Sequence, residues 1–322
     1  MSENWIQNQT PLVVVSVVNW NTEARTLDCL QSLHAMAYPN YRIIMVDNAS
    51  SDDSVARVRA TFPHLEVLES AHNCGFADGH ALAYRQALAW GASAIWLVNS
   101  DALVDVQALT QLVTAWQRDG NAIYGGVPLM RREDGTVLLN FPAKYLEESG
   151  TPQPFQRDAD ITFTEAWKTR ASFRVGAVSG SCFFLPLGLI ADYGWLDSAW
   201  FLYCEEIDYC YRLRTYGVPC YLVPQSHIWH GGGGSHQSRK GVEDCIYYYK
   251  TRNEIVLARR YAGRLSSWLI AAKKIARAAQ ISVKNRARGR LILAGVRDAL
   301  QSRMGKTLAP EIYIGDELEA KS

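Results

Sequence analysis

Residues 12–18 have the sequence LVVVSVV, a short and almost wholly apolar run. Runs of this length and composition are typical of strands that are buried on both faces, as in a parallel sheet. Alternating strands and helices around this run predict a doubly wound α/β layer. Outward from it, strands are predicted at 41–46, 65–68 and 94–98, and helices at 23–36, 52–61 and 77–90.

The pattern loosens after about residue 125. Polar, Pro- and Gly-containing sequence predicts a connection or a loop, whereas the apolar SCFFLP predicts another strand. The predicted features are the polar connection at 131–170, a strand within 173–187, a helix at 201–215 and a strand at 220–223.

The composition is that of an ordinary globular protein. The chain has 322 residues, of which 48% are hydrophobic, so it can bury a substantial core. A formal net charge of +1 indicates no overall attraction to nucleic acid or to a membrane.

Seven cysteines are scattered along the chain without a CxxC pair, which disfavours a zinc ribbon. Their odd number also disfavours a disulfide framework, and we expect them to be small buried residues in a reducing cytosol. The polar N-terminus lacks the features of a signal peptide, and no apolar run reaches the about 18 residues that a membrane span requires. We therefore expect a cytoplasmic protein, soluble or peripheral on the inner face of the cytoplasmic membrane.

Between Lys250 and Lys306 the chain is strongly basic, and only Glu254 and Asp298 carry negative charge. Apolar residues are interleaved with the basic ones, which predicts amphipathic helices with basic faces. Two interpretations are open: a solvated helical face packed on the preceding domain, or attraction to anionic phospholipid headgroups. Nucleic-acid binding is disfavoured because no recognised motif accompanies the basic residues.

Two predicted strands end in residues that can take part in chemistry. Asp47 closes the second strand, and Asn99-Ser100-Asp101 follows the fourth. In open α/β sheets, ligands bind at the carboxyl ends of the strands. Asp47 can accept hydrogen bonds from a base or a ribose, and Asp101 can hold a divalent cation against a diphosphate. Turns also favour Asp, so a structural role is the alternative.

An acidic cluster opens the helix predicted at 201–215. Glu205, Glu206 and Asp208 lie near its N-terminus, where the helix dipole stabilises carboxylates. The alternative interpretation is that one of them is a general base. Asp208 and Arg212 are also spaced for an ion pair on one helix face.

Two histidines, His227 and His230, lie just before four consecutive glycines at 231–234. A neutral imidazole can bind a metal ion, and glycines let the backbone approach a ligand closely. Although an isolated histidine is usually structural, the neighbouring glycine run favours the ligand interpretation here.

The order and spacing of these segments are more specific than any one of them. They are VSVVNWN, VDNASSDDS, NCGFADGHALA, WLVNSDALV, SGSCFFLP, FLYCEEIDYCYRLRTYG and SHIWHGGGGS. As a set, over roughly residues 11–236, they resemble the family 2 glycosyltransferases, which are inverting enzymes of the GT-A fold. The chain is most similar to bacterial rhamnosyltransferase-type members that build surface polysaccharides. The tract YYYKTRNEIVLARRYAG also resembles the Arg-Asn segment that follows the catalytic domain in that subgroup.

The resemblance implies a GT-A (Rossmann-like), mostly parallel sheet flanked by helices. The catalytic domain would cover 1–240, with a nucleotide-binding half at about 11–125 and an acceptor half at about 126–240. Residues 241–322 would then be a helical, basic C-terminal extension.

The resemblance also assigns donor-binding roles. Asn19 and Asn21 would lie at the nucleotide pocket, and Asp47 would contact the base. The ribose–diphosphate side would be lined by Asn73, Gly75, Phe76 and Ala77.

Asn99, Ser100 and Asp101 occupy the family's Asp-x-Asp position. Asn99 replaces the first Asp, so Asp101 is the implied metal-binding carboxylate and the site has one fewer negative charge. His230 matches the histidine that completes the metal shell. The implied cofactor is Mg²⁺ or Mn²⁺.

Glu205 and Glu206 occupy the family's Glu-Asp pair. Glu206 stands where the catalytic base is usually Asp and reaches one methylene further, and Glu205 is the second candidate. The implied base takes a proton from an acceptor hydroxyl, whose oxygen attacks the anomeric carbon opposite the leaving diphosphate. The metal neutralises that diphosphate.

The implied donor is dTDP-rhamnose first and a UDP-hexose second. The implied acceptor is a hydroxyl of a glycan or of a lipid-linked glycan, in the synthesis of bacterial cell-envelope polysaccharide. Peripheral contact with an anionic membrane would suit such an acceptor.

Three other functions are weighed against this one. A nucleotidyltransferase would have a glycine-rich, basic loop after the first strand, where this chain has NWNTEAR. A dehydrogenase would have GxGxxG after LVVVSVV, and this chain does not. A non-catalytic nucleotide-sugar-binding protein remains open, although the joint presence of Asp101, Glu206 and His230 favours an enzyme.

Overall fold

A computed structural model of the protein describes residues 10–141, 145–146, 160–230 and 240–310. Much of the connection predicted at 131–170, and all of the glycine run at 231–234, lie outside the described residues.

The first half of the chain alternates strands with helices, as predicted. Each element begins and ends within two residues of its predicted bounds. Three of the four strands form where apolar residues follow one another, because both faces of the sheet are covered there. The strand at Glu66–Glu69 lies at the edge of the sheet and is less buried. The elements are β1 (Val13–Asn19), α1 (Glu23–His34), β2 (Tyr41–Asp47), α2 (Ser54–Thr61), β3 (Glu66–Glu69), α3 (Gly75–Ala89) and β4 (Ala94–Asn99).

The second half contains more strands than the sequence pattern predicts. Its longest strand extends the one predicted at 220–223 as far as His230, with a bulge between Val223 and His227. The elements are β5 (Ala102–Val104), α4 (Ala108–Asp119), β6 (Ile123–Arg131), β7 (Val137–Leu139), α5 (Glu165–Lys168), β8 (Phe173–Val175), β9 (Cys182–Pro186), α6 (Leu187–Tyr193), a 3₁₀ turn (Ser198–Trp200), α7 (Glu205–Arg214) and β10 (Cys220–His230).

The acidic helix α7 begins at Glu205, so the prediction of a helix from residue 201 is wrong for its first turn. Phe201, Tyr203 and Cys204 have φ values of 63°, 70° and 74°. A right-handed helix excludes positive φ, so these residues form a loop that ends where the carboxylates begin.

The described strands form one sheet in the order β3-β2-β1-β4-β9-β6-β10-β5, and β7 and β8 pair with β6 and β10. Strands β3, β2, β1 and β4 are parallel, and β6 is parallel to β10. Strand β9 runs against both β4 and β6, and β5 runs against β10. Most strands therefore point the same way, which confirms the predicted mostly parallel α/β sheet.

Successive residues of β1 enter two different hydrophobic cores, one on each face of the sheet. Val14 packs on one face in a group with Ile44 and Leu97, and Val15 packs on the other in a group with Met45. All five side chains are fully buried. This alternation is what a strand covered on both faces requires.

The C-terminal extension consists of α8 (Lys240–Tyr261), α9 (Gly263–Lys284) and α10 (Arg286–Leu300). Ile255 and Leu257 of α8 are buried in the same core as Val14 of β1, so the sheet and this helix share a core. Among the helices that the structure describes, none is long and apolar enough to cross a membrane. The domain division at residue 240 stays a prediction.

Asp208 shows how closely α8 is joined to the sheet. Its carboxylate accepts hydrogen bonds from Arg260 at 2.6 Å and from the Tyr261 hydroxyl at 2.7 Å. The predicted pair with Arg212 is wrong, because Arg212 donates to the carbonyl oxygens of Tyr193 and Trp195. Asp208 therefore pairs with Arg260 of α8 and not with Arg212 on its own helix.

Candidate active site

A cavity of about 390 Å³ lies where the carboxyl ends of β1, β2 and β4 meet the starts of α3 and α7 and the end of β10. Asn19, Asn21 and Asp47 are not among its lining residues. The predicted site residues that line it are Asn73, Gly75, Phe76, Asn99, Ser100, Asp101, Glu205, Glu206 and His230.

Asn19 and Asp47 belong to a buried hydrogen-bond network. Asn19 Nδ2 donates to Asp47 Oδ1 at 2.8 Å and to Ser50 Oγ at 3.0 Å, and its Oδ1 accepts from the hydroxyls of Thr22 and Thr26. The N–H of Ser50 donates to Asp47 Oδ2 at 2.9 Å. These bonds fasten the ends of β1 and β2 together and leave Asp47 only 3% exposed. Its contact with a base stays a prediction.

Residues next to Asn21 and Asp47 in the sequence line the cavity, although Asn21 and Asp47 themselves do not. Asn21 has φ 54°, and its Oδ1 accepts from the N–H of Ser51 at 2.8 Å. Trp20, beside Asn21, and Asn48, beside Asp47, line the cavity. Side chains alternate in direction along an extended chain, and this periodicity is the signal that would have identified them.

Asn48 ties the end of β2 to the start of α3. Its Nδ2 donates to Asn73 Oδ1 at 3.1 Å and to the Gly75 carbonyl at 3.0 Å, and its Oδ1 accepts from the N–H of Cys74 at 3.0 Å. Gly75 has φ 82°, and a Cβ there would lie 2.2 Å from the carbonyl oxygen of Phe201. Glycine is therefore required where the start of α3 packs against the loop that precedes α7.

Asp101 and His230 meet at one edge of the cavity. Asp101 Oδ1 lies 3.2 Å from His230 Nε2, and Asn99 Nδ2 lies 3.0 Å from the same nitrogen. A guanidinium nitrogen of Arg25 lies 3.7 Å from Asp101. Burial acts to raise the pKa of Asp101, but its hydrogen bond to His230 and the charges of His230 and Arg25 hold that pKa below the usual value. The carboxylate is therefore ionised at neutral pH.

This pair fits a divalent cation whose shell the substrate completes. An octahedral Mg²⁺ with ligands at about 2.1 Å keeps neighbouring ligands about 3 Å apart. The separation of 3.2 Å between Asp101 and His230 is close to that value. Within the described residues, no group of three or more His, Cys, Asp or Glu side chains could hold a metal ion. Diphosphate oxygens and water would have to supply the other ligands.

Glu205 and Glu206 line another edge of the cavity but differ in environment. Glu205 is 3% exposed, and its Oε2 has no hydrogen-bond partner within the described part of the chain. Burial, then the charge of Glu206, raises the pKa of Glu205 well above the usual value. Burial also raises the pKa of Glu206, but its carboxylate accepts from the N–H groups of Gly180 and Ile207 and faces the charge of Lys250. The anion is therefore better stabilised on Glu206.

The loop that presents these glutamates is held by two buried residues of α8. Asn253 Nδ2 lies 3.1, 2.8 and 2.8 Å from the carbonyl oxygens of Trp200, Leu202 and Tyr203. Arg252, which is fully buried, donates to the Trp200 carbonyl at 2.8 Å. Left-handed backbone at non-glycine residues costs free energy and persists only where surrounding contacts impose it. The Arg-Asn segment therefore imposes the conformation of this loop.

The chain after α10 is fastened to the same site. Arg252 also donates to the Gly305 carbonyl at 2.7 Å and to the Thr307 hydroxyl at 2.9 Å. Lys306 Nζ donates to the Asn73 carbonyl at 2.9 Å. The C-terminal extension thus contributes directly to the architecture of the cavity.

Several lining residues were not predicted as site residues. Burial lowers the pKa of His80 to about 3, so this histidine is neutral, and its Nδ1 lies 2.7 Å from the Ser16 hydroxyl. SGSCFFLP marked the region of Ser179–Ser181, whereas no local pattern marks Pro310. The additional lining residues are Val18, Trp20, Thr22, Asn48, His80, Ser179, Gly180, Ser181, Phe201, Leu202, Tyr203, Cys245, Ile246 and Pro310.

Two relatives with assigned activities are similar to most of the chain. The low-salt glycan biosynthesis hexosyltransferase Agl10 of Haloferax volcanii is 22% identical over 218 residues, which cover 66% of this chain and 66% of that protein. An N-acetylglucosaminyl-diphospho-decaprenol L-rhamnosyltransferase of Mycobacterium tuberculosis is 23% identical over 274 residues, which cover 79% of this chain and 86% of that protein.

Among solved structures, the mannosyltransferase PcManGT of Pyrobaculum calidifontis, solved with GDP-Man and Mn²⁺, is similar with a TM-score of 0.57. The match covers 93% of this chain and 92% of that one at 14% sequence identity. At this identity the likeness supports the fold, and it agrees with the predicted GT-A architecture. The profile of the glycosyltransferase-like family 2 matches residues 10–241. The chain therefore belongs to glycosyltransferase family 2 and is a transferase.

Proposed function

We propose that this protein is an inverting glycosyltransferase that moves a sugar from a nucleotide-sugar to an acceptor hydroxyl. One observation carries the proposal: Asp101, His230 and Glu206 line a single cavity. Asp101 and His230 can hold a metal ion against the diphosphate of a donor, and Glu206 can take the proton from an acceptor hydroxyl. The leaving group and the nucleophile would then meet in one space.

Glu206 is the general base in this proposal. As the acceptor oxygen bonds to the anomeric carbon and the bond from that carbon to the diphosphate oxygen breaks, the hydroxyl proton passes to the Glu206 carboxylate. Attack from the face opposite the diphosphate inverts the anomeric configuration. Burial raises the pKa of Glu205 and disfavours its carboxylate, so Glu205 is the second candidate for this role.

The donor lies along the ends of β1, β2 and β4. A Mg²⁺ or Mn²⁺ ion held by Asp101 and His230 would supply positive charge against the leaving diphosphate. Asn19, Asn21 and Asp47 shape the nucleotide end, since they fasten the strand ends beside the cavity. The remaining donor contacts are assigned to Asn73, Gly75, Phe76, Asn99 and Ser100.

The first expected donor is dTDP-rhamnose, and a UDP-hexose is the second. The name of the mycobacterial relative supports rhamnose, and it also supports a lipid-linked acceptor, because that protein acts on an N-acetylglucosaminyl-diphospho-decaprenol. We expect the acceptor here to be a glycan or a lipid-linked glycan at the inner face of the cytoplasmic membrane, in the synthesis of cell-envelope polysaccharide.

The test is incubation of the full chain with a panel of nucleotide-sugars, Mn²⁺ and candidate acceptors, with mass spectrometry of the released nucleotide. We expect acceptor-dependent release of dTDP from dTDP-rhamnose, and about 10³-fold slower release by the Glu206→Gln variant. Binding of nucleotide-sugars without turnover of any would instead indicate a non-catalytic nucleotide-sugar-binding protein.

A further inference from the structure

Helix α9 has apolar residues on two opposite faces. One face is buried in the extension and includes Ile270, Ala271 and Ala278. The opposite face, which we call the outward face, is exposed. Its large members are Leu265, Trp268, Leu269, Ile275 and Val283, whose exposed fractions are 74%, 56%, 36%, 47% and 87%.

The outward face is a continuous stripe rather than scattered residues. At about 100° of rotation per residue, its large members fall within an arc of about 120° on the helix. Exposed alanines Ala272, Ala276 and Ala279 fall within the same arc. Single exposed apolar residues are ordinary on a protein surface, but a contiguous stripe along a whole helix indicates an interaction site.

Basic residues border the stripe. Arg264 lies along one edge, and Lys273, Arg277 and Lys284 lie along the other. Helix α9 contains no acidic residue. An apolar stripe with cationic borders is complementary to a surface that offers acyl chains beneath negative headgroups.

Helix α10 also exposes apolar and basic residues. Its exposed residues include Leu293 and Leu300 together with Arg286, Arg290 and Arg297. Between residues 263 and 300 the only acidic side chain is Asp298, and it is paired with Arg297 at 2.9 Å. Lys274 is also paired with Glu254 of α8 at 2.6 Å, but basic residues still far outnumber acidic ones in this region.

We propose that the outward face of α9 docks in the interfacial layer of a membrane that contains anionic phospholipid. The apolar stripe enters the boundary between headgroups and acyl chains, and the lysines and arginines beside it bind the headgroup phosphates. The helix lies in the plane of the surface, as expected for an amphipathic helix that does not span.

This proposal deepens the proposed function, on which it rests for the lipid-linked acceptor. Helix α8 connects the docking surface to the cavity, because Cys245 and Ile246 of α8 line the cavity and α9 begins just after its end. Docking through α9 would bring the cavity to the surface in which such an acceptor is held.

The test is sedimentation of the full chain with vesicles of phosphatidylcholine alone and of phosphatidylcholine mixed with phosphatidylglycerol. We expect binding to the anionic vesicles to be tighter by about ten-fold or more, since each basic residue near such a surface strengthens binding about five-fold. The triple variant Leu265→Gln, Trp268→Gln, Val283→Gln should weaken that binding by about ten-fold or more.

Leu88→Gln is the matched control, because Leu88 is a leucine of α3 that is 51% exposed away from α9. It should bind anionic vesicles as the parent chain does. Equal binding to both vesicle types, absence of binding, or normal binding by the triple variant would overturn the proposal. A dimer in solution that the triple variant abolishes would also overturn it, since a second copy would then cover the outward face.

Nucleotide release measured without vesicles separates this proposal from the proposed function. The triple variant should retain that release with an acceptor in detergent. A parent chain that turns over donor but ignores vesicles would refute the docking surface alone. A chain that binds vesicles but releases no nucleotide would refute the transferase proposal alone.

Discussion

Two edges of the cavity are built in different ways. At the edge with Asp101 and His230, Asp101 lies in the turn between β4 and β5, and His230 ends β10 and pairs with Ala102 of β5, so the sheet positions both side chains. The edge with Glu205 and Glu206 follows a loop whose left-handed backbone is held by Asn253, 50 to 53 residues later in the chain. Strands of the sheet position the side chains of the first edge, whereas the loop of the second edge is positioned by α8 of the C-terminal extension.

The two edges also differ in electrostatics. The pKa of Asp101 is lowered by His230 and Arg25 against the effect of burial, so its carboxylate is a stable anion. The pKa values of Glu205 and Glu206 are raised, with burial as the largest cause. An anion that must bind a cation and a base that must accept a proton require these opposite shifts.

The largest expected effect is at the base. Glu206→Gln keeps the size of the side chain and removes its ability to accept a proton, so we expect kcat to fall about 10³-fold with donor binding retained. Glu205→Gln is the matched control and should reduce kcat less than about ten-fold, since burial raises the pKa of Glu205 and favours its neutral form, which Gln resembles. Single-turnover measurement of sugar transfer compares the two. A larger loss from Glu205→Gln would move the base to that residue.

The rate should also depend on pH through this base. Because the pKa of Glu206 is raised above 4.5, activity should fall as the pH drops through a value higher than that of an ordinary glutamate. A profile of kcat against pH measures this acid limb. An acid limb with a midpoint at or below the pKa of an ordinary glutamate would show that the pKa of Glu206 is not raised when substrate is bound.

At the other edge, Asp101→Asn removes the one carboxylate assigned to the metal. We expect activity to fall about 10²-fold, because stabilisation of the leaving diphosphate is lost. Asn99→Asp is the opposite change and should lower the Mn²⁺ concentration at half-maximal activity by about ten-fold, since an added carboxylate strengthens the site. Titration of activity with Mn²⁺ measures both. Unchanged metal dependence in both variants would remove Asp101 from the metal site.

The two edges were not equally predictable from the sequence. Strands β1 to β4 and Asp101 follow from local runs and from motif order, because burial on both faces leaves a pattern in a few residues. The loop before α7 leaves none, since Phe201, Tyr203 and Cys204 adopt positive φ although none is glycine. Their conformation is imposed by contacts that form only in the folded chain.

The same reason accounts for the other differences. Helical spacing predicts a pair between Asp208 and Arg212, but Arg260 from α8 takes that place at 2.6 Å. Asp47, whose contact with the nucleobase stays a prediction, accepts a hydrogen bond from Asn19 and does not line the cavity, whereas its neighbour Asn48 does. Spacing along one element cannot report a partner that tertiary packing supplies.

A smaller effect is expected from a change at Asn253, which holds the loop before Glu205 and Glu206. Asn253→Ala removes the side-chain donor to the carbonyl oxygens of Leu202 and Tyr203 and one of the two donors to the Trp200 carbonyl, so we expect the free energy of unfolding to fall by about 2–3 kcal/mol and kcat by about ten-fold. The KM for donor should change less, because the loop carries the base rather than the metal residues. Kinetics and denaturant unfolding measure these changes.

Arg259→Met is the control for this prediction, since Arg259 lies on the same helix and donates to Ala299 of α10. It should leave kcat unchanged whatever it does to Tm. A loss of kcat equal to that of Asn253→Ala would mean that general loosening of the extension is responsible.

The smallest effect concerns stability. The folded pKa of Glu205 is raised, so the stability that its protonated form contributes is present below pH 4.5 and is lost as the pH rises through the folded value. Glu205→Gln is neutral at every pH and should flatten the decline of Tm with rising pH. Calorimetry across that range tests this, and parallel curves for the two proteins would show that Glu205 does not titrate on unfolding.

The central claim is that the edge with Asp101 and His230 binds the metal and the edge with Glu205 and Glu206 provides the base. A crystal structure with Mn²⁺ and a nucleoside diphosphate, with anomalous scattering to locate the metal, tests it most directly. The account predicts the Mn²⁺ peak at Asp101 and His230, with diphosphate oxygens in its shell and Glu206 free of the metal. A peak at Glu205 or Glu206, or a nucleotide bound outside the cavity, would contradict it.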